Sequence, residues 1–281
     1  MDLFVFCAVL TAAAFHASWN ALLKVKLEPI VAISLISVGC GIVVLPLMPF
    51  VGVPAPESWA YICGSLTVHL FYYAALAEAY RTGDLGLVYP IARGAAPLMT
   101  ATGAYLLVGQ ELGALGWLGV AVLASGVLVL SFKGGPASAK PNLRSAGFAL
   151  LTALTITTYT LIDAVGAKLA GSAHAYAGWL FILDAVMMAI YGLLRFPRAF
   201  KAGLTRELRL LFVGGGLSAA AYWTVIWALT VAPIALVAAL RETSVLMAAA
   251  IGIVVLREPI VPARLFAACL VLAGVILIRL R

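Results

Sequence analysis

Long apolar runs separated by short polar breaks dominate the chain. Each run lasts roughly 20 residues, which is the length an α-helix needs to cross a hydrocarbon core of about 30 Å. The breaks carry charged or turn-forming residues. The pattern predicts ten transmembrane helices, over residues 3–23, 29–50, 58–80, 85–108, 114–132, 145–169, 174–194, 209–231, 234–256 and 262–280.

Composition supports the same class. Hydrophobic residues make up 64% of the 281 residues and charged residues 10%, whereas a soluble domain carries about 25% charged residues. So little charge does not cover an aqueous surface, and in lipid the backbone must satisfy its own hydrogen bonds, which helices do. We therefore predict an all-α integral membrane protein whose partner is the lipid bilayer.

The net charge of +7 indicates membrane topology and not binding of nucleic acid. The cations lie in short loops and collect in the odd-numbered connections between the predicted spans. Such loops face the cytoplasm under the positive-inside rule, which places both termini outside the cytoplasm. The four cysteines lie in apolar runs without metal-ligand spacing, so we expect neither a metal nor a cofactor.

An internal repeat divides the predicted spans into two groups of five. Residues 91–99 match residues 239–247 at an offset of 148, and this offset also relates Gly126 to Gly274. A five-span unit is odd in number, so its second copy enters the membrane from the opposite side. Inverted repeats of this kind are typical of transporters, with the substrate near the midplane.

The repeat predicts a domain organisation of three parts. The first five-helix repeat covers 1–132, a basic cytoplasmic linker covers 133–144, and the second repeat covers 145–281. Between the two repeats we expect a central cavity.

Arg93 and Arg241 lie inside predicted spans and at equivalent positions of the repeat. A charged residue at the centre of a membrane helix costs about 2.5–3.5 kcal/mol on insertion scales. Either the guanidinium groups face a wet cavity and hold a substrate carboxylate, or they form a structural ion pair. The pairing candidates are Glu242, Asp184 and Glu78.

Several polar and aromatic side chains share helix faces at spacings of three or four residues. An aromatic cavity with a few polar anchors suits an organic solute, although membrane-interface belts and interhelical hydrogen bonds are alternative explanations. With the two arginines, the predicted substrate-binding residues are His16, Trp19, Asn20, His69, Tyr72, Tyr73, Tyr89, Tyr159, Asp163, Trp223, Trp227 and Ser244.

Two further features concern motion and energy. Pro90 and Pro97 bracket Arg93 and predict a kinked or loosened helix. The pattern is compatible both with proton-coupled and with facilitated transport. Titratable candidates for proton coupling are His16, His69, Asp163, Asp184 and Glu78.

Short motifs at matching places in the two halves carry a family resemblance. They are Leu-Val-Gly-Gln-Glu-Leu at 107–112 and Val-Leu-Arg-Glu-Pro at 255–259, each followed by the glycine of the repeat, and Trp19-Asn20 before Lys24. With these motifs the chain resembles the EamA-type branch of the drug/metabolite transporter superfamily, and within it the bacterial amino-acid exporters, including the aromatic ones. Arg257 departs from the family's usual glycine before Glu258.

This resemblance implies an exporter of amino acids or related small metabolites in the bacterial inner membrane, working by alternating access through an aromatic-lined central cavity, with both termini then periplasmic. We expect a monomer. A broad-specificity drug carrier or a nucleotide-sugar carrier is the alternative. An enzyme is not expected, because no zinc-type histidine pair and no nucleophile elbow is present in the sequence. A structural or assembly subunit is the third class.

Overall fold

The computed structural model describes residues 1–22, 27–82, 85–132, 143–256 and 262–280. These ranges contain helices and short connections and no strand, so the predicted all-α class is confirmed. The helices are α1 (Leu3–Leu22), α2 (Pro29–Val44), α3 (Met48–Val51), α4 (Trp59–Thr82), α5 (Leu85–Val108), α6 (Ala114–Phe132), α7 (Leu143–Leu169), α8 (Ala173–Arg195), α9 (Pro197–Arg206), α10 (Gly215–Val231), α11 (Ile234–Arg241), α12 (Ser244–Leu256) and α13 (Pro262–Leu280).

Six helical stretches of the described chain are long and apolar enough to cross a membrane. Large apolar side chains such as Phe50 and Leu194 lie exposed on the surface, which suits lipid and not water. Length and composition together are those of a helical membrane protein. The six stretches are Leu3–Leu22, Pro29–Val51, Ala146–Leu169, Ala173–Arg195, Leu210–Val231 and Ile234–Ile251.

The ninth predicted span, 234–256, differs from a continuous helix. Its first part, α11, ends at Arg241, and α12 begins at Ser244. Glu242 and Thr243 form a turn between them. The reason is local: the backbone amide of Glu242 bonds the carbonyl of Ala239, and the amide of Thr243 bonds that of Leu240, each at 3.0 Å. These tight bonds span three residues and close the end of a helix.

The chain forms two compact units. Unit 1 comprises Met1–Leu10, Thr67–Leu161 and Val231–Arg281, and unit 2 comprises Thr11–Leu66 and Ile162–Thr230. The division into 1–132 and 145–281 stays a prediction, and residues 133–142 of the predicted linker lie outside the described residues.

In unit 1, α6 packs along α13 and against α5, and α11 packs against α5 and α6. Glycines bring the backbones of α6 and α13 together. A Cβ atom on Gly126 would lie 2.8 Å from the backbone nitrogen of Val271, and one on Gly274 would lie 2.6 Å from that of Leu123. Small residues allow this close helix packing in membranes.

In unit 2, α2 packs along α8 and also contacts α9 and the π-helical turn Leu210–Gly214 that precedes α10. Gly39 and Gly215 again bring two backbones together. The Sγ atom of Cys40 donates a hydrogen bond to the carbonyl of Gly215 at 3.2 Å. This thiol therefore acts as a small packing group with a partner.

Candidate functional site

A buried charged cluster lies in unit 1, where α5 meets the turn between α11 and α12. Arg93 and Arg241 both face Glu242, whose side chain is only 1% exposed. The Nε atom of Arg93 lies 2.8 Å from Oε2 of Glu242, and the Nε atom of Arg241 lies 3.8 Å from Oε1. Each carboxylate oxygen therefore faces one guanidinium group. We call these three side chains the arginine cluster.

The turn between α11 and α12 explains why Glu242 reaches this place. The hydroxyl of Thr243 donates to the carbonyl of Leu240 at 2.7 Å, a side-chain bond that competes with helix continuation. The next helix starts at once, and the hydroxyl of its first residue, Ser244, accepts a hydrogen bond from Arg93 at 2.9 Å. The interruption thus places a carboxylate and a hydroxyl beside Arg93.

The charges of the arginine cluster are unequal. Two guanidinium groups share one carboxylate, which leaves one positive charge in excess among these three side chains. A carboxylate that can accept two parallel hydrogen bonds is the partner that arginine binds best. The start of α12 at Ser244 adds the positive end of a helix dipole.

Aromatic rings border the cluster on one side. Tyr159 on α7 accepts a hydrogen bond from Arg241 at 3.4 Å. His69 on α4 stacks on the Tyr159 ring with centroids 4.3 Å apart, and Tyr72 meets the same ring edge-on at 5.9 Å. Tyr73 packs on Tyr72 at 5.4 Å. We call these four side chains the aromatic wall.

The aromatic wall continues from the buried cluster towards the surface. Tyr159 is buried, whereas His69, Tyr72 and Tyr73 are partly exposed. With Arg93, Arg241 and Ser244, seven of the predicted substrate-binding residues therefore converge in unit 1. We treat this group as the candidate substrate site.

A second polar group lies in unit 2 around Asp163, which is fully buried. Its carboxylate accepts a hydrogen bond from the hydroxyl of Tyr176 at 2.9 Å and another from that of Tyr222. Nearby in the sequence, Trp223 donates from Nε1 to Nδ1 of His174 at 2.8 Å. Asp163 and these two tyrosines belong to unit 2, whereas Tyr159, four residues earlier on α7, belongs to unit 1.

The remaining predicted residues lie outside the arginine cluster and the aromatic wall. In unit 2, His16 and Trp19 meet edge-on at 5.1 Å, and the Asn20 amide donates to the carbonyl of His16 at 2.8 Å. Trp227 on α10 is half-buried. Tyr89 belongs to α5, but its side chain lies outside the described part of the structure.

Glu242 belongs to the candidate site but was not among the predicted substrate-binding residues. It entered only as a possible partner of an arginine, and it lies at the centre of the arginine cluster. A usable signal existed, since Glu242 is the only acidic residue in the predicted ninth span. Glu78, the other candidate partner on this side, pairs instead with Arg144 at 3.0 Å near the surface.

Metal binding has no support in the described ranges, where no three histidine, cysteine or acidic side chains come together. No family model and no curated protein matches the chain. A solved protein described as "Crystal structure of protein" is similar in fold, with a TM-score of 0.76 at 17% sequence identity. The likeness covers 99% of this chain and 96% of that chain, so the fold is shared over the whole length.

Proposed function

We propose that this chain is a multi-pass carrier of the bacterial inner membrane that exports amino acids or related small metabolites by alternating access. The observation that carries the proposal is the arginine cluster, in which two buried guanidinium groups share one carboxylate next to the aromatic wall. Buried ionisable groups inside membrane helices are typical of substrate pathways.

The charges of the cluster complement a zwitterion. An amino acid presents a carboxylate to the arginines and an ammonium group to Glu242, and both signs are available within one site. Its side chain then packs on His69 and Tyr159, whose stacked rings favour an aromatic or apolar group. A purely anionic solute would leave Glu242 beside a second negative charge, so amino acids fit better.

The interrupted helix gives further support. Transporter sites commonly use broken helices, because a helix end presents charges and backbone groups that a continuous helix hides. In this chain the break between α11 and α12 coincides with the arginine cluster. A small rotation of either half-helix would change the distances between Glu242 and the two arginines.

Contacts between α6 and α13 support the proposed inverted repeats and, with them, ten spans. Gly126 and Gly274 are 148 residues apart, and so are Leu123 and Val271. Gly126 contacts Val271 while Gly274 contacts Leu123. Exchange of the two halves therefore turns one contact into the other, as a two-fold axis between repeats requires. We propose that the halves surround a central cavity and that a monomer suffices for transport.

Efflux from liposomes tests the proposal. Purified protein is reconstituted into vesicles loaded with labelled phenylalanine, leucine or glutamate, and release is followed with and without excess unlabelled solute. Arg241 has the longer contacts, 3.8 Å to Glu242 and 3.4 Å to Tyr159, and is therefore the better placed to turn to a substrate. Arg241→Gln removes a charge-assisted hydrogen bond of about 1.5–3 kcal/mol, so we expect efflux about 10- to 100-fold slower.

Arg144→Gln is the matched control, since Arg144 also pairs with a glutamate but is 63% exposed. It should leave efflux unchanged. Folded protein that moves none of a full amino-acid panel would contradict the proposal. Selective movement of nucleotide sugars or of bulky organic cations would replace it by one of the broader carriers.

A further inference from the structure

A short amphipathic helix, α9, lies between α8 and the stretch Leu210–Val231, both of which are candidate membrane spans. One of its faces packs against α8 and α2, the neighbouring helices of unit 2. Phe200 is buried against Gly192 of α8, where an added Cβ atom would lie 2.5 Å from the ring, and Gly203 receives the side chain of Leu35 of α2. Its position is therefore fixed by packing.

The other face and the flanks of α9 are strongly basic. Five exposed cations occur within fifteen residues, with Glu207 as the only acidic residue among them. None of the five forms an ion pair with a described residue. We call them the basic face, and they are Arg195, Arg198, Lys201, Arg206 and Arg209.

Exposed apolar side chains lie directly beside the basic face. Leu194 is 80% exposed just before it, and Leu208 is 51% exposed near its end. In a membrane helix such leucines face the acyl chains, and neighbouring arginine and lysine side chains extend to the headgroup level. In a bilayer, the five cations are therefore expected at the level where hydrocarbon meets headgroups.

We propose that the basic face binds the headgroups of anionic phospholipids. Charge complementarity is the first reason, because these cations have no ion-pair partner among the described residues and match phosphate groups that carry net negative charge. Geometry is the second reason, since α9 connects two candidate spans and is therefore expected at the membrane surface. The predicted topology agrees, because it places this connection on the cytoplasmic side, where anionic lipids accumulate. An acidic protein would also match the charge, but the flanking exposed leucines favour lipid.

Native mass spectrometry of the full chain tests the inference. The protein is extracted from bilayers of equal parts phosphatidylglycerol and phosphatidylcholine, and the ratio of the two retained lipids is measured. Each cation near an anionic surface changes binding by about fivefold at low salt. The variant Arg198→Gln/Lys201→Gln/Arg206→Gln should therefore lower the phosphatidylglycerol preference at least about tenfold.

Two controls separate charge from structure. Arg198→Lys/Arg206→Lys keeps the charge and should keep the lipid preference, and Lys168→Gln removes an exposed cation outside the basic face and should also keep it. Should the neutral variant fail to fold, the wild-type preference must still fall as sodium chloride rises from 0.05 to 0.5 M, since exposed charges are screened within about 10 Å or less.

Equal retention of both lipids by the wild-type protein would overturn the inference. An unchanged lipid preference in a folded neutral variant would also overturn it. If that variant instead loses a co-purifying acidic protein, the basic face binds protein and not lipid. The inference depends on membrane insertion and not on the transported solute, so a failed efflux assay leaves it standing.

Discussion

The helix α5 and the pair α11 and α12 carry matching sequences at an offset of 148, yet they fold differently. α5 runs without interruption over Leu85–Val108, and Pro90 and Pro97 both lie within it. The matching segment contains no proline between Ile234 and Leu256, and it is the one that is interrupted. Local proline content therefore does not decide which of the two helices breaks.

The difference follows from what comes after the arginine. In α5, Arg93 is followed by Gly94 and Ala95, which offer no polar side chain to compete with the helix. The equivalent positions in the second half hold Glu242 and Thr243. The threonine hydroxyl bonds the preceding turn, and the glutamate turns to an arginine on another helix. A tertiary ion pair and a local hydrogen bond together stabilise the break.

The largest expected effect comes from removing the shared negative charge. Glu242→Gln keeps the size of the side chain and leaves two buried guanidinium groups without their carboxylate. Loss of one partner of a buried ion pair costs about 3–5 kcal/mol. We expect the free energy of unfolding, measured by SDS titration in mixed micelles, to fall by that amount.

Glu78→Gln provides the control for this charge effect. Glu78 also pairs with an arginine, but Arg144 is mostly exposed, and exposed pairs contribute about 0–1 kcal/mol. Similar losses in the free energy of unfolding for Glu242→Gln and Glu78→Gln would mean that the arginine cluster is solvated. The ion pair would then not explain why α5 is continuous and the matching segment is interrupted.

The sequence predicts the bounds of the helices better than it predicts the contacts between them. Predicted ranges 85–108, 114–132 and 262–280 coincide with α5, α6 and α13, because the length of an apolar run reflects the thickness of the membrane. The equivalence of Arg93 and Arg241 was also visible in the repeat. Both arginines face one glutamate, as one of the sequence alternatives allowed.

What the sequence hides is how each helix is rotated about its axis. Tyr159 and Asp163 lie on one face of α7, yet the first bonds Arg241 and the second bonds Tyr176. The turn at Glu242 was missed for a similar reason. A helix in lipid is apolar all round, so periodicity does not reveal which face meets which neighbour.

The second largest effect is expected at the two glycines where α6 and α13 pack together, because these positions correspond in the two halves. Gly126→Ala and Gly274→Ala each drive a methyl group into the backbone of the facing helix, at 2.8 and 2.6 Å. Overpacking of this kind costs about 1–3 kcal/mol. Because an offset of 148 residues relates the two contacts, the proposed inverted repeat predicts losses in the free energy of unfolding that agree within about 0.5 kcal/mol.

Gly216→Ala serves as the control in a helix of unit 2, where an added Cβ atom meets nothing within 4 Å. It should be neutral or slightly stabilising, because alanine favours helix over glycine. Strongly unequal losses at positions 126 and 274 would show that α6 and α13 are not interchangeable, and the inverted repeat would lose its main structural support.

The smallest effect separates the two causes of the helix break. Thr243→Val keeps the shape of the side chain and removes the hydroxyl that donates to Leu240. The carbonyl of Leu240 still accepts the amide of residue 243 at 3.0 Å, so no buried acceptor is left without a partner. We expect a loss of about 0.5–1.5 kcal/mol in the free energy of unfolding. A loss as large as that of Glu242→Gln would mean that the Thr243 hydroxyl causes the break between α11 and α12. The equivalent residue in α5 is Ala95, which has no hydroxyl, and this would then explain why α5 continues.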